Sequence, residues 1–165
     1  MSTSVRNCNE LGENLQKLVK RLAANQNLLK LLYYTSQDPL SQPDITDEQF
    51  QKEIFEKLIK IVPRVSGKDN SKSIIVLRVS RGVKNPENTE FKDVTIMVEI
   101  FVPLSQWIMV GTNLRPFAIL GEIEKSLANI KINGLGRLLS GGFELSFLTD
   151  EIGAYEQLYS LTSYD

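Results

Sequence analysis

Residues 94–102 read Val-Thr-Ile-Met-Val-Glu-Ile-Phe-Val, and this stretch decides the fold. Every second residue is a valine or an isoleucine, while threonine, methionine, glutamate and phenylalanine occupy the alternate positions. A period of two places all the β-branched side chains on one face of a β-strand. The stretch therefore predicts a strand with one continuously apolar face, which Pro103 ends.

A second strand is predicted before this one, from Ser73 to Arg81. Its residues 74–77, Ile-Ile-Val-Leu, are apolar on both faces, which is typical of an inner strand covered twice. Residues 85–88, Asn-Pro-Glu-Asn, have the composition of a turn. The two strands and this turn therefore predict a long hairpin.

The glycine-rich stretch is 134–142, Gly-Leu-Gly-Arg-Leu-Leu-Ser-Gly-Gly. A phosphate-binding loop would leave a strand, enter a helix and carry a Walker or dinucleotide-binding spacing, whereas this stretch matches neither spacing and enters a strand-like run. Hairpin connections or bulges are the better interpretation. The stretch leads to a strand at 143–148, in which Phe143, Leu145 and Phe147 are expected to point the same way, and a last strand is predicted at 155–161.

Helical periodicity appears before the hairpin. Leucines recur at three- and four-residue steps from Glu10 to about Tyr34, and Asn25-Gln26-Asn27 interrupts them, so the segment allows two helices with a kink. Residues 46–49, Thr-Asp-Glu-Gln, form a capping box at the start of another helix. The buried face of that helix is predicted to contain Phe50, Ile54, Leu58 and Ile61, with Pro63 at its end.

A further helix is predicted after the hairpin, where Leu114-Arg115-Pro116 places a proline near the first helical position. Its inner face is predicted to contain Phe117, Leu120, Ile123 and Leu127. The order of elements indicates an α+β fold, with a mainly antiparallel sheet of about four or five strands packed by two or three helices. We expect a single domain over 10–165, preceded by a flexible N-terminal arm over 1–9.

Composition excludes several kinds of catalytic site. The 165 residues include no histidine and one cysteine, Cys8, and the net charge is −1 from 19 basic and 20 acidic residues. The commonest general base is therefore missing, and a zinc site of cysteine and histidine cannot form within one chain. The long basic run of a sequence-independent nucleic-acid binder is also missing. We expect a protein that is not an enzyme and holds no cofactor and no metal.

Acidic residues could support metal-dependent hydrolysis without histidine, but their spacing is unfavourable. Asp93 and Glu99 point to the same face of one strand, about 20 Å apart along it, which is too far for a shared metal ion. Glu122, Glu124 and Lys125 have the spacing of a solvated helix face. The lone thiol and the lack of a signal-peptide run or membrane span predict a soluble protein made in a cytoplasm.

The candidate contacts with partner proteins are aromatic, arginine and loop residues, since such side chains commonly anchor protein interfaces. They are Tyr33, Tyr34, Gln106, Trp107 and Arg115. The alternative is that Tyr33 and Trp107 complete the core of the domain itself. The arm and the loop 104–113 are the predicted docking elements, because loops on a rigid sheet often carry function.

Two segments resemble structural proteins of tailed bacteriophages. They are 22–45 (LAANQNLLKLLYYTSQDPLSQPDI) and 94–127 (VTIMVEIFVPLSQWIMVGTNLRPFAILGEIEKSL), in which a strand ending in Val-Pro-Leu is followed by a tryptophan loop and a Leu-Arg-Pro helix start. With the later Gly-Leu-Gly-Arg-Leu and the tyrosine-rich final strand, the likeness covers most of the chain beyond residue 20. It is strongest to the neck proteins called tail terminator or tail completion proteins.

The resemblance implies a structural virion protein, made in the cytoplasm of a bacterial host and located in the neck or tail. It implies a ring of copies, commonly six, that terminates the tail tube and joins it to the head-tail connector proteins. DNA would pass through the lumen without specific binding. The alternatives are another head-tail adaptor or tail component, a small metal-dependent nuclease, and a soluble adaptor module.

Overall fold

A six-stranded sheet organises the protein in a computed structural model, which describes residues 8–61, 71–87, 92–132 and 136–162. The strands are β1 (Ile59–Lys60), β2 (Ile74–Lys84), β3 (Lys92–Pro103), β4 (Lys131–Ile132), β5 (Gly136–Leu148) and β6 (Ile152–Thr162). They lie in the order β1-β2-β3-β6-β5-β4, and every neighbouring pair is antiparallel except β1 and β2. The predicted α+β class is confirmed. Four of the strands are long, whereas β1 and β4 have two residues each.

The helices of the described residues are α1 (Glu10–Ala23), α2 (Gln26–Tyr33), α3 (Asp47–Gln49) and α4 (Arg115–Leu127). The predicted interruption of the leucine stripe is confirmed, because Asn25 caps α2 by accepting a hydrogen bond from the Leu28 amide at 3.1 Å. Of the predicted arm, Cys8 and Asn9 form a turn that leads into α1, and residues 1–7 lie outside the described residues. No helix in the described ranges is long and apolar enough to cross a membrane.

The predicted helix after the capping box is shorter than expected. The box itself is confirmed, since Thr46 and Gln49 exchange two hydrogen bonds of 3.2 and 3.0 Å. The α-helix then ends at Gln49, a single π-helical segment covers Phe50–Ile54, and Glu56 adopts a positive φ of 59°.

Pairing with the sheet overrides the helical period in this segment. The Leu58 carbonyl accepts a hydrogen bond of 2.7 Å from the Ile75 amide, and Ile59 lies opposite Ile75 in parallel register. Leu58 and Ile59 are both buried where this segment meets β2. The prediction of a helical face reaching Ile61 is therefore wrong, and Pro63 lies outside the described residues.

The hairpin of β2 and β3 is confirmed, and it forms the centre of the fold. The five alternate apolar residues of β3 are all buried: Val94, Ile96, Val98, Ile100 and Val102. On β2, only residues 74–77 are buried on both faces, and the strand is exposed from Ser80 to Lys84. The prediction that β2 is an inner strand holds for its first half only.

Helix α4 packs on β3 and β6, and α1 and α2 pack against α4. We call this covered side of the sheet the helix face. The inner face of α4 contains Ile119, Leu120, Ile123 and Leu127, all buried. Phe117 is 43% exposed, so the prediction that it belongs to this inner face is wrong. It lies at the flank of the helix, where its ring meets Tyr155 of β6 at 5.3 Å.

Candidate functional site: an exposed sheet edge

Arg115 lies at the start of α4 and is completely buried. Its guanidinium donates four hydrogen bonds to backbone carbonyls, those of Gln106 (3.0 Å), Leu31 (2.8 Å), Tyr34 (2.8 Å) and Ser36 (2.5 Å). Burial lowers the pKa of this guanidinium below its usual range. All of its contacts are internal, so the prediction that Arg115 contacts a partner is wrong for this chain; it connects α4 to the end of α2.

Two other predicted contacts also face inward. Gln106 is buried, and its Nε2 donates a hydrogen bond of 2.6 Å to the Ser71 carbonyl, so it does not fit the predicted interface role. Trp107 is half-buried against Gly153, where an added Cβ would lie 2.5 Å from the indole ring. The ring also lies 6.2 Å from that of Tyr155. This position fits the alternative that Trp107 completes the core.

Tyr33 and Tyr34 lie partly at the surface, at the end of α2. Their rings meet edge to face at 5.1 Å, and the Lys72 ammonium lies 3.8 Å from the centre of the Tyr33 ring. The Tyr34 hydroxyl donates a hydrogen bond of 3.0 Å to the Pro43 carbonyl. The Tyr34 carbonyl also accepts a hydrogen bond from Arg115, whose guanidinium donates to the Gln106 carbonyl as well, so these internal contacts join the end of α2 to the loop 104–113.

Among the described residues, β5 carries the largest group of exposed large apolar side chains. Phe143, Leu145, Phe147 and Leu148 are between 51% and 61% exposed. Strand β4 pairs with β5 only at Gly136 and Arg137. From Leu139 to Leu148, the side of β5 away from β6 has no strand partner among the described residues, and we call it the β5 edge. Exposed apolar edges of this kind are templates for pairing with another chain.

Two irregularities shape the β5 edge. The pairing with β6 shifts between Ser140 and Phe143, where Gly142 has a φ of 90°, so the glycine pair forms a bulge as predicted. A second shift lies between Leu145 and Phe147. The expectation that Phe143, Leu145 and Phe147 point the same way is therefore wrong for Phe147.

Strand pairing shows which face each of these side chains occupies. Phe143 and Leu145 lie opposite Gln157 and Tyr155, on the helix face, because Gln157 donates a hydrogen bond of 3.1 Å to Glu124 of α4. Phe147 lies opposite Ala154, which pairs with Phe101 on the other face. The β5 edge thus presents apolar side chains on both faces of the sheet.

Three aromatic rings extend the helix layer toward the β5 edge. Phe117, Phe143 and Tyr155 lie within 6.0 Å of one another, centre to centre. The sequence pattern placed Phe117 in the core. It did not indicate Phe143 as an interface residue, because the apolar pattern of an edge strand resembles that of an inner strand. The additional apolar residues Phe147 and Leu148 beside the turn are the one signal of exposure on both faces.

The other face of the sheet contains a row of carboxylates. Glu99, Glu156 and Glu144 lie opposite one another across β3, β6 and β5. Arg78 forms an ion pair of 3.0 Å with Glu99, at the inner end of the row. Burial raises the pKa of Glu156, and the hydrogen bond with Glu144 and the negative charges of Glu144 and Glu99 raise it further. Glu144, at the edge, is exposed.

The described residues contain no group of three or more histidine, cysteine, aspartate or glutamate side chains arranged to hold a metal ion. Asp93 accepts a hydrogen bond of 2.9 Å from Asn85, whereas Glu99 pairs with Arg78. The structure therefore does not bring together the two carboxylates that the sequence offered for a nuclease.

An α+β domain with an exposed apolar sheet edge is typical of proteins that associate through their sheets. The model of the YomW family matches residues 25–161, and the chain belongs to this family. The family name comes from a phage-region protein of Bacillus, so the chain is a phage-associated protein. No curated protein matches the chain.

Proposed function

We propose that this chain is a structural protein of the phage neck, where a ring of its copies terminates the tail tube and joins the tail to the head connector. The observation that carries the proposal is the β5 edge, which is ten residues long and has exposed apolar side chains on both faces of the sheet. Membership of a phage-associated family and the resemblance to tail terminator proteins support it further.

A ring of identical subunits needs two different, complementary surfaces on each copy, and the contact must close on itself. A free sheet edge supplies one such surface, because its unpaired backbone groups and alternate side chains bind an extended partner with a defined register. The partners in the assembled particle are other copies of the chain, the tail tube protein and the connector proteins. The near-neutral net charge of −1 suits a lumen through which DNA passes without specific binding.

The assembly state tests this proposal directly. The purified full chain would be measured by native mass spectrometry and sedimentation velocity, alone and with the tail tube and connector proteins of its phage. We expect a closed oligomer of about six copies that binds the end of the tube. A strict monomer that binds neither protein would contradict the proposal, and so would magnesium-dependent DNA cleavage that Asp93→Ala abolishes.

The location in the particle is a second test. Quantitative mass spectrometry of purified virions should find the chain at the copy number of one ring, about six per particle. Gold labelling of an exposed site, such as the single thiol of Cys8, should mark the head-tail junction. A chain that is absent from virions would contradict a structural role in the neck.

A further inference from the structure

We infer that neighbouring copies join head to tail by pairing the β5 edge of one copy with the outer edge of β2 of the next, with Arg81 opposite Glu144. This inference rests on the proposed ring and specifies its subunit contact. It commits to a second copy of this chain as the occupant of the β5 edge. The contact is heterologous, as a closed ring requires.

The second edge lies at the opposite side of the same sheet. Strand β1 pairs with β2 only at Ile75 and Val76, and no other strand of the described residues covers the outer side of β2. Every residue from Ser80 to Lys84 is exposed, and Val83 is 41% exposed. Each copy therefore presents two different strand edges to solvent, one on β5 and one on the second half of β2.

The strand directions fit a continuous sheet. Three antiparallel pairings lead from β2 through β3 and β6 to β5, so β2 and β5 run in opposite directions. When the sheet of one copy continues into the next with the same face toward the helices, β5 meets β2 as an antiparallel neighbour. This pairing keeps the alternating hydrogen-bond pattern of the rest of the sheet.

Charge complementarity identifies the partner and the register. The carboxylate row ends at the β5 edge with Glu144 beside Glu156, while the cation Arg78 pairs with Glu99 at the other end. Arg81 lies opposite Thr95, which is on the same face of the sheet as Glu99. When β2 of the next copy pairs with β5, its Arg81 therefore lies on the same face as the carboxylate row. It is then next to Glu144, the end of the row that forms no ion pair with a cation among the described residues of its own copy.

The same register places the exposed Phe143 ring next to Gly82, which has no side chain, on the helix face. With Arg81 opposite Glu144, the next pair in the antiparallel ladder is Gly82 opposite Phe143. Gly82 lies opposite Val94 on the helix face, and an added Cβ there would have no heavy atom within 4 Å. The exposed Phe143 ring can cover this glycine, a cross-strand arrangement that compensates for the missing side chain.

The register also determines the offset between copies. Within one copy, Glu144 is level with Glu99, whereas Arg81 is level with Thr95, four residues away along β3. Neighbouring copies are thus displaced by about 13 Å along the strands. In a closed ring such a displacement tilts the strands relative to the ring axis, as in closed barrels.

Cysteine cross-linking tests this contact. In a Cys8→Ser background, the double variant Arg81→Cys/Glu144→Cys should form a ladder of disulfide-linked oligomers on mild oxidation, because directly opposite strand residues have Cα atoms at disulfide distance. Mixing the two single variants should give linked dimers only. Dimers from Glu144→Cys alone would mean that two β5 edges pair with each other, and would overturn the inference.

Charge exchange is the second measurement. Arg81→Glu and Glu144→Arg should each raise the dissociation constant of the oligomer roughly tenfold or more, and the double exchange should restore assembly. Lys20→Glu and Glu13→Arg, exposed reversals on α1, are the matched controls and should leave assembly unchanged. Circular dichroism of each variant establishes that the subunit is folded.

The outcomes separate this inference from the proposed function. A ladder together with rescue by the double exchange supports edge pairing. If the chain forms oligomers that give no series of disulfide-linked products and are unaffected by either charge reversal, edge pairing is overturned and the proposed neck ring is not. A chain that neither self-associates, with or without the tail tube protein, nor binds tube or connector would overturn both.

Discussion

The guanidinium of Arg115, at the start of α4, donates a hydrogen bond of 2.8 Å to the carbonyl of Leu31, which lies 84 positions earlier in α2. The same group also binds the carbonyls of Tyr34 and Ser36, just beyond the end of that helix. Carbonyls at the C-terminal end of a helix have no partner within the helix, and a positive charge there also complements the helix dipole. One side chain thus connects two helices and the turn after α2.

Replacing Arg115 should strongly destabilise the fold. In Arg115→Met, four carbonyls, two of them in buried bonds, would lose their donor, and we expect the free energy of unfolding to fall by about 3 kcal/mol or more. Arg115→Lys should recover little of this loss, because an ammonium lacks the planar fork of donors. Urea denaturation measures both variants, and Arg21→Met, at an exposed position of α1, is the control. A loss below about 1 kcal/mol in Arg115→Met would contradict this account.

Gly153 is predicted to tolerate no side chain. In Gly153→Ala, the new Cβ would lie 2.5 Å from two carbons of the Trp107 ring, so either the ring or strand β6 must move. We expect a loss of stability of about 2 kcal/mol, and partial recovery when Trp107→Leu is added. Gly12→Ala is the matched control: its Cβ would meet open space inside α1, where alanine stabilises a helix by up to about 1 kcal/mol. Thermal unfolding of the three variants provides the comparison.

Removing the exposed apolar side chains of β5 should impair assembly and leave the subunit folded. Phe143 and Leu145 are already 55% and 52% exposed, so the double change Phe143→Ser/Leu145→Ser should lower the free energy of unfolding of the subunit by about 2 kcal/mol and leave it folded. The loss of apolar contact area should shift sedimentation toward the monomer. Leu138→Ser, at a fully buried position of the same strand, should instead prevent stable folding. Unchanged assembly in the double variant would argue against a role for the β5 edge.

The carboxylate row predicts a pH dependence of stability. The pKa of Glu156 is raised in the folded protein by burial, by its hydrogen bond with Glu144 and by neighbouring negative charge. The folded state therefore binds more protons than the unfolded state between the usual carboxyl pKa and the raised value, and stability falls as the pH rises through this window. Glu156→Gln should be more stable than the natural chain above the window, and this advantage should disappear below it. Urea midpoints measured as a function of pH for the two proteins test the sign.

Local signals in the sequence were sufficient for much of the fold. The alternation in β3, its hairpin pairing with β2, the capping box at Thr46 and the glycine bulge at Gly142 each depend on neighbouring residues, and each is confirmed. Asn88, at the end of the predicted turn, lies outside the described residues. The helix predicted to run to Ile61 is wrong because pairing with Ile75, far along the chain, replaced the helical period. Phe117 was assigned to the core because a helical stripe does not show where the packed face ends.

The candidate site was largely hidden at the level of sequence, and the reason is physical. Trp107, Gln106 and Arg115 have the composition of an interface, but burial and internal hydrogen bonds are decided by elements that meet only in the fold. Phe143 and Leu145 have the pattern of core residues, and they are exposed because β5 has β6 on one side only along most of its length.

The amino-acid sequence by itself determined the class of the fold, the alternating strand at its centre and the absence of histidine-based chemistry, since these depend on residue type and near-neighbour spacing. The tertiary structure alone decided which strands lie at the edges of the sheet and which aromatic side chains remain exposed. Strand order depends on contacts between distant segments, and periodicity within one segment contains no information about its neighbours. The surface proposed to build the ring is a consequence of that order.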